Sequence, residues 1–445
     1  MVMTRPVDNH IPLNEIPDPR LRIRSTNDEG IGGRFRVRAE EFLVNELDLF
    51  TPSGSGEHLY LRIRKKGISH REMIRRIGKA FNVPEKAIGY AGMKDRNAIT
   101  SQTVSVHTDK ECPQELTEES RLAKESGFMV EWSVRHSHKL RRGGLRGNHF
   151  VIYIRDVDEF KVQKVQRVLQ ILSSDGLPNA YMSQRFGYRL NNHRLGVALI
   201  EGRWDELLHE WLGTVGSDYP DHEEVCRSSF AKENYKEAMK GWPKGTAEYM
   251  ALSELAKGRS PEIACKAVPQ KISELWIDAV QAAIFNQVLA IRLEKGTMPK
   301  MLAGDIAWNH AISRYESGTV SEGDVRDSVM LDAVKGIRLS ATGPLYGRRM
   351  PLPGENIQAI ESLGAERAKL NAVQLQEQGG SRRGDRRPLR VPVHNPQVES
   401  GRDERHGSYI KISFELPKGA YATGVLSEIM GIDAVEERGW WNAVR

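Results

Sequence analysis

Residues 409–416 read YIKISFEL, with Ile410, Ile412, Phe414 and Leu416 alternating with Lys411, Ser413 and Glu415. A period of two is the mark of a strand with one buried face. Such a strand needs a sheet to bury against, and the other strong alternating runs all lie before residue 160. They are 34–38 (RFRVR), 58–64, where Leu59, Leu61 and Ile63 oppose Tyr60, Arg62 and Arg64, then 103–107 and 149–154. The C-terminal strand is therefore expected to return to a sheet begun near the N-terminus.

Between these strands the pattern changes. Met73, Ile74, Ile77 and Phe81 fall at helical spacing in 71–82, with Ser69 as cap and Pro84 as stop, which predicts a helix laid on the sheet. The stretch from about 196 to 370 reads mostly helical, notably 205–212 and 272–293, where Leu275, Ala279, Ala282, Ala283, Asn286 and Leu289 fall near one face. Residues 377–406 mix Gly, Pro and charge with few apolar anchors and read as a mobile linker. A chain of 445 residues suits two or three domains. The expected architecture is α+β: a discontinuous domain of 1–195 and 386–445 holding a mixed or antiparallel sheet with flanking helices, and a helix-rich domain inserted at 196–385.

No apolar run approaches the roughly 18 residues of a membrane span, and the first residues lack an apolar signal-peptide centre. A cytoplasmic protein is expected. Cys112, Cys226 and Cys265 are odd in number and widely spaced, which argues against a disulfide framework or a cysteine-built zinc site. The histidines form no HExxH, and RGGLRG is followed by no Lys-Ser or Lys-Thr opening a helix, so neither a metal nor a nucleotide cofactor is expected. The net charge of +6 is a weak signal, but its distribution is not. Residues 135–146 (RHSHKLRRGGLR) carry five Lys or Arg and no acid, and 382–390 (RRGDRRPLR) carry five Arg against one Asp. With RIRKK at 62–66, these runs favour a nucleic-acid partner over a merely solvated surface.

The segment most suggestive of chemistry is 88–106, IGYAGMKDRNAITSQTVSV, where Lys94, Asp95 and Arg96 follow a glycine-flanked turn. A carboxylate between two cations suits a nucleophile or general base, although an exposed Lys-Asp-Arg turn is also a common solvated loop. Residues 89–102 (GYAGMKDRNAITSQ) closely resemble the signature of the TruD family of tRNA pseudouridine synthases. The segments 55–70 (SGEHLYLRIRKKGISH), 140–154 (LRRGGLRGNHFVIYI) and 176–189 (GLPNAYMSQRFGYR) agree in order, and weaker echoes follow at 282–293, 302–308 and 416–430.

The resemblance implies a pseudouridine-synthase-type sheet domain with an inserted TRUD-type domain, a cofactor-free isomerase, and tRNA as partner, with uridine 13 of the D arm as the family's usual target. It maps the catalytic role onto Asp95 and a uridine pocket onto Phe42, Asn179, Tyr181 and Tyr421, with Arg36 placed to meet Asp95. Where the family often carries Phe near the last two pocket positions, this chain has Tyr. Lys94, Arg96, Arg141, Arg142, Arg146 and Arg185 are the candidate RNA contacts. Residue type alone leaves Phe42 as possible core, Asn179 as a turn cap and Tyr421 as surface. Two rival functions remain at this point: a non-catalytic RNA-binding or chaperone protein of the same fold, and a nucleoside or glycoside hydrolase, for which no paired general acid is apparent.

Overall fold

The computed structural model describes residues 11–21, 23–26, 29–117, 120, 127–378 and 382–436. The chain divides into two discontinuous units, Thr26–Leu177 with Val391–Arg445, and Met1–Ser25 with Pro178–Arg390. The breaks thus fall at 177/178 and 390/391 instead of 195/196 and 385/386, and the described residues before 26 go with the inserted block.

The first unit is built on an eight-stranded sheet. Its strands are β1 (Phe42–Asp48), β2 (His58–Lys66), β3 (Ile88–Tyr90), β4 (Ile99–His107), β5 (Phe128–His136), β6 (Leu145–Arg155), β7 (His394–Asp403) and β8 (Gly407–Pro417). They run in the order β7-β8-β6-β1-β4-β2-β5, with β3 also paired to β4. The C-terminal strand does return, lying between β7 and β6. All pairings are antiparallel except β1 with β4.

Register sorts the side chains into rows on one face. Ile412, Ile152 and Phe42 form one row, Phe414, Phe150 and Val44 the next, and Leu416, Asn148 and Glu46 the third. Helices Val162–Asp175 and Ala422–Met430 contribute Val165, Val168, Leu172, Val425 and Leu426 to the same apolar cluster. A second cluster lies further along the sheet, where Leu59, Leu61 and Ile63 of β2 and Val104 and Val106 of β4 pack with Met73, Ile74, Ile77 and Phe81 of helix α1 (His70–Phe81). The start of α1 is fixed by Ser69, which accepts from the Glu72 amide, and its end by Asn82 in the left-handed region. Between the two clusters the rows turn polar: Glu46, Asn148, Thr100, Gln102 and Lys65 follow apolar residues on the same strand faces.

Three expectations for this part of the chain need correction. RFRVR at 34–38 is no strand; Arg36 has φ of 56°, which breaks the alternation, and only Arg34 bridges to Arg155. Of the expected mobile linker at 377–406, residues 379–381 lie outside the described residues, but Asp385–Pro388 and β7 are strands. The arginine run 382–390, read as favouring nucleic acid, is partly internal: Arg386 is buried against Glu361 at 2.6 Å, and Arg390 donates to the Val334 carbonyl.

The second unit is helical around Gln270–Glu294, but it also carries a four-stranded sheet that includes Leu339–Leu345 and Asp385–Pro388, which helical periodicity alone did not reveal. The long helix is buried on nearly all sides from Trp276 to Arg292, whereas Leu275, expected on its inner face, is 46 % exposed. Among the described residues no helix is long and apolar enough to cross a membrane.

The returning strand should be indispensable to the sheet unit. Phe414→Ala removes a fully buried ring stacked on Phe150 at 5.5 Å and should destabilise this unit by about 3–5 kcal/mol in urea unfolding. A change below about 1 kcal/mol would mean that the rows do not carry the core.

Candidate active site

The loop 91–98 joins β3 to β4 and lies against the polar stretch between the two apolar clusters. One edge of β4 is shared, its residues 99–101 bonding β1 and 104–106 bonding β3. At the parting between them, side chains from the sheet grip the loop. Gln102 donates to the Gly92 carbonyl at 3.2 Å. Lys94 pairs with Glu46 at 2.9 Å and donates to Asn148 Oδ1 at 2.6 Å, so its ammonium is held inside. Lys65 Nζ donates to the carbonyls of Ile68, Lys94 and Asp95 at 3.0, 3.3 and 2.6 Å.

With its backbone fixed from behind, Asp95 presents a half-exposed carboxylate. One oxygen accepts from the Asn97 amide at 3.1 Å, and the other lies 3.4 Å from Arg36 Nη2. The Arg36 guanidinium in turn sits 4.2 Å above the centre of the Phe42 ring, which is 2 % exposed. Burial lowers the Arg36 pKa and the Asp95 charge opposes that, leaving it a cation throughout the physiological range. The sequence neighbours of Asp95 behave differently from expectation. Lys94 turns to Glu46, and Arg96 donates to the Gly67 carbonyl at 3.1 Å, so the cation beside the carboxylate comes from Arg36, distant in sequence.

The basic loop 140–146 is tied to this arrangement. Gly143 donates to the Ala91 carbonyl at 2.9 Å and accepts from Lys418 Nζ at 3.1 Å, linking the Asp95 loop to the segment that leads into Tyr421. Gly89 allows the approach, since a Cβ there would lie 2.3 Å from the Leu140 carbonyl oxygen. Arg142 donates to the Tyr90 hydroxyl at 3.0 Å, Arg146 lies 3.5 Å from Glu415, and Arg141 is exposed. Tyr421 precedes the helix Ala422–Met430 as its N-cap residue and is partly exposed.

Asn179, Tyr181 and Arg185 belong to the second unit. Asn179 is 4 % exposed; its side-chain amide donates to the Pro388 carbonyl at 2.9 Å and its side-chain oxygen accepts from Arg387 at 2.5 Å. Tyr181 is clamped by Asn286, whose side chain bonds both its amide and its carbonyl at 2.9 Å, and Arg387 lies 4.2 Å over its ring. Arg185 sits 3.6 Å from Asp278 and 5.1 Å from the Tyr181 ring centre. Among the described residues no group of three His, Cys, Asp or Glu side chains is placed to hold a metal.

The sequence reading set Arg36 to meet Asp95, and the two lie 3.4 Å apart; it assigned Lys94 to RNA. Its burial in an ion pair assigns it instead to holding the loop. The reading passed over Glu46, Lys65, Gln102 and Asn148 as individuals. Their signal was present as polar residues interrupting otherwise apolar strand faces.

Comparison with known proteins follows the same residues. The family model described as tRNA pseudouridine synthase D (TruD) matches residues 20–429. A Geobacter sulfurreducens protein named tRNA pseudouridine synthase D is 32 % identical over 90 % of this chain and 94 % of its own length. A Thermus thermophilus protein of the same name is 31 % identical over 92 % of this chain and 91 % of its own. A crystal structure from Methanosarcina mazei, provisionally designated tRNA pseudouridine synthase D (TruD), superposes with a TM-score of 0.78 at 25 % identity, covering 95 % of this chain and 99 % of that one.

Removing one member of the Glu46–Lys94 pair leaves a buried group without its partner. Glu46→Gln should cost about 3–5 kcal/mol in chemical denaturation, and combining it with Lys94→Met should recover part of that loss. Equal and additive losses would show that the two groups are not coupled.

Proposed function

Because the chain belongs to the tRNA pseudouridine synthase D (TruD) family, we propose that it isomerises a uridine of tRNA to pseudouridine, with Asp95 as the reacting carboxylate. The observation that carries this assignment is a carboxylate presented outward on a loop anchored from behind, with Arg36 beside it and the Phe42 ring beneath Arg36. In the reaction the N1–C1′ bond breaks, the uracil turns while still bound, C5 joins C1′, and the C5 proton is lost as N1 takes one up. No atom is gained or lost. Asp95 serves either by attacking C1′ or by removing the 2′ proton, and both routes need a fixed carboxylate beside the ribose.

The target uridine must leave its stack, which costs a few kcal/mol and calls for a ring to take over the stacking. Tyr421 is proposed for that contact, with Phe42 proposed as the wall of the uridine pocket that carries Arg36, which orients Asp95. For the helical unit, the proposal is that Asn179, Tyr181 and Arg185 contact the RNA. Arg96, Arg141, Arg142 and Arg146 are assigned to its phosphates. The proposed site of modification is uridine 13 in the D arm, and no cofactor takes part.

Three experiments test this. Purified enzyme is incubated with unmodified tRNA transcripts and pseudouridine is mapped by chemical labelling and reverse-transcription stops; free uracil as product would instead support a hydrolase. Asp95→Asn should lose turnover while keeping tRNA affinity within about tenfold, and wild-type-like product formation would remove Asp95 from the mechanism. Neutralising Arg141, Arg142 and Arg146 together should weaken binding to many RNAs alike and make the slope of log K against log salt shallower by about two to three. An unchanged slope would reduce that loop to solvated surface.

A further inference from the structure

Lys65 continues the inward-facing stripe of β2, after Leu59, Leu61 and Ile63, where the pattern calls for another aliphatic residue. It is 1 % exposed, and among the described residues it forms no ion pair. A buried ammonium without a carboxylate partner is unfavourable unless its protons are all accepted. Here they are: an ammonium has three N–H donors, and Nζ meets three backbone carbonyls, of Ile68, Lys94 and Asp95. Two of these acceptors belong to the residues whose side chains anchor and form the candidate carboxylate. The shortest of the three, at 2.6 Å, is to Asp95 itself.

We propose that Lys65 is a positioning residue for the reaction: its ammonium holds the backbone of Lys94 and Asp95, so that the Asp95 carboxylate meets the ribose only while Lys65 keeps all three donors. This assignment rests on Asp95 as the reacting carboxylate. Glu46 and Asn148 restrain the same loop through the Lys94 side chain, and Gln102 does so through Gly92; of these four side chains, Lys65 is the one that bonds the Asp95 backbone. Losing one proton leaves a carbonyl unpaired in a dry setting and turns a nitrogen lone pair toward the remaining acceptors.

Burial lowers the Lys65 pKa to about 8, with Asp95 opposing the shift and Lys94 adding to it. The charged groups that act on it are Asp95, with its partner Arg36, and Lys94, with its partner Glu46. His70, at the start of α1, is pushed down to about 4 by burial and by Lys65, so it stays neutral across the range of interest. The clamp is therefore complete below about pH 8 and is lost as pH rises through it.

The test is single-turnover pseudouridine formation by the full chain on an unmodified tRNA transcript, with enzyme in excess, from about pH 6.5 to about 9.5. The wild-type rate should descend on the alkaline side near pH 8. Lys65→Met should slow the reaction by about 10- to 100-fold, the scale of a displaced catalytic group, and abolish that descent, while tRNA affinity stays within about threefold. Lys65→Arg, which stays charged throughout, should also lack the descent and retain more activity than the Met variant. A simple packing role would lower the rate without removing the pH dependence. The proposal is overturned if Lys65→Met keeps the wild-type rate, or if either variant retains the wild-type alkaline descent. If the Met variant fails to fold by thermal melting, the Arg profile decides. Absence of product from the wild type at every pH would overturn both the activity reading and this one.

Discussion

The buried pair of Lys94 and Glu46 sets the terms for the rest of the site. A charge on an inward face of a sheet is tolerated only when a partner meets it, and the partner here comes from the loop the sheet must hold. Asn148, Gln102 and Lys65 extend the same logic, each bonding a group on 92–95. The polar stretch therefore does two things at once. It separates two apolar clusters that would otherwise merge, and it provides a floor on which an irregular segment lies without leaving its polar groups unmet. The outward position of the Asp95 carboxylate follows from that floor.

Much of this was legible in the sequence. Alternation in 409–416 demanded a sheet elsewhere, and the structure supplies it through β6. Helix α1 was readable from its apolar spacing and its Ser69 cap. The failures share a cause: residue type was read without its partner. Arg36 lies in an alternating run, yet its left-handed backbone ends any strand there. Arg386 and Arg390 lie in a run read as favouring nucleic acid, yet the first meets Glu361 and the second a backbone carbonyl, both inside. A sequence window cannot show a partner 25 or 56 residues away.

The same holds at the candidate site. Asp95 and its surrounding motif were visible as a local pattern, whereas the cation that meets it, Arg36, was reached only through the family resemblance and not from the neighbouring Lys94 and Arg96. Asn179 was read as a capping or base-reading amide, while its geometry gives it firm internal duties to Pro388 and Arg387. Lys65 was counted only as part of a basic run. Its three carbonyl acceptors come from two separate turns, which neither composition nor spacing could disclose.

The position of β8 between β6 and β7 also bears on how the protein is made. On the ribosome, β1 to β6 emerge early, but the neighbour of β6 appears only after all of 178–390 has been synthesised. At translation speeds of about 5–20 residues per second, that interval is on the order of ten seconds or more. Throughout it, the outer edge of β6 stands unpaired with Phe150 and Ile152 uncovered by Phe414 and Ile412. The nascent chain must therefore carry an open, adhesive strand edge while its second unit is being built, and that edge closes only once β8 has followed.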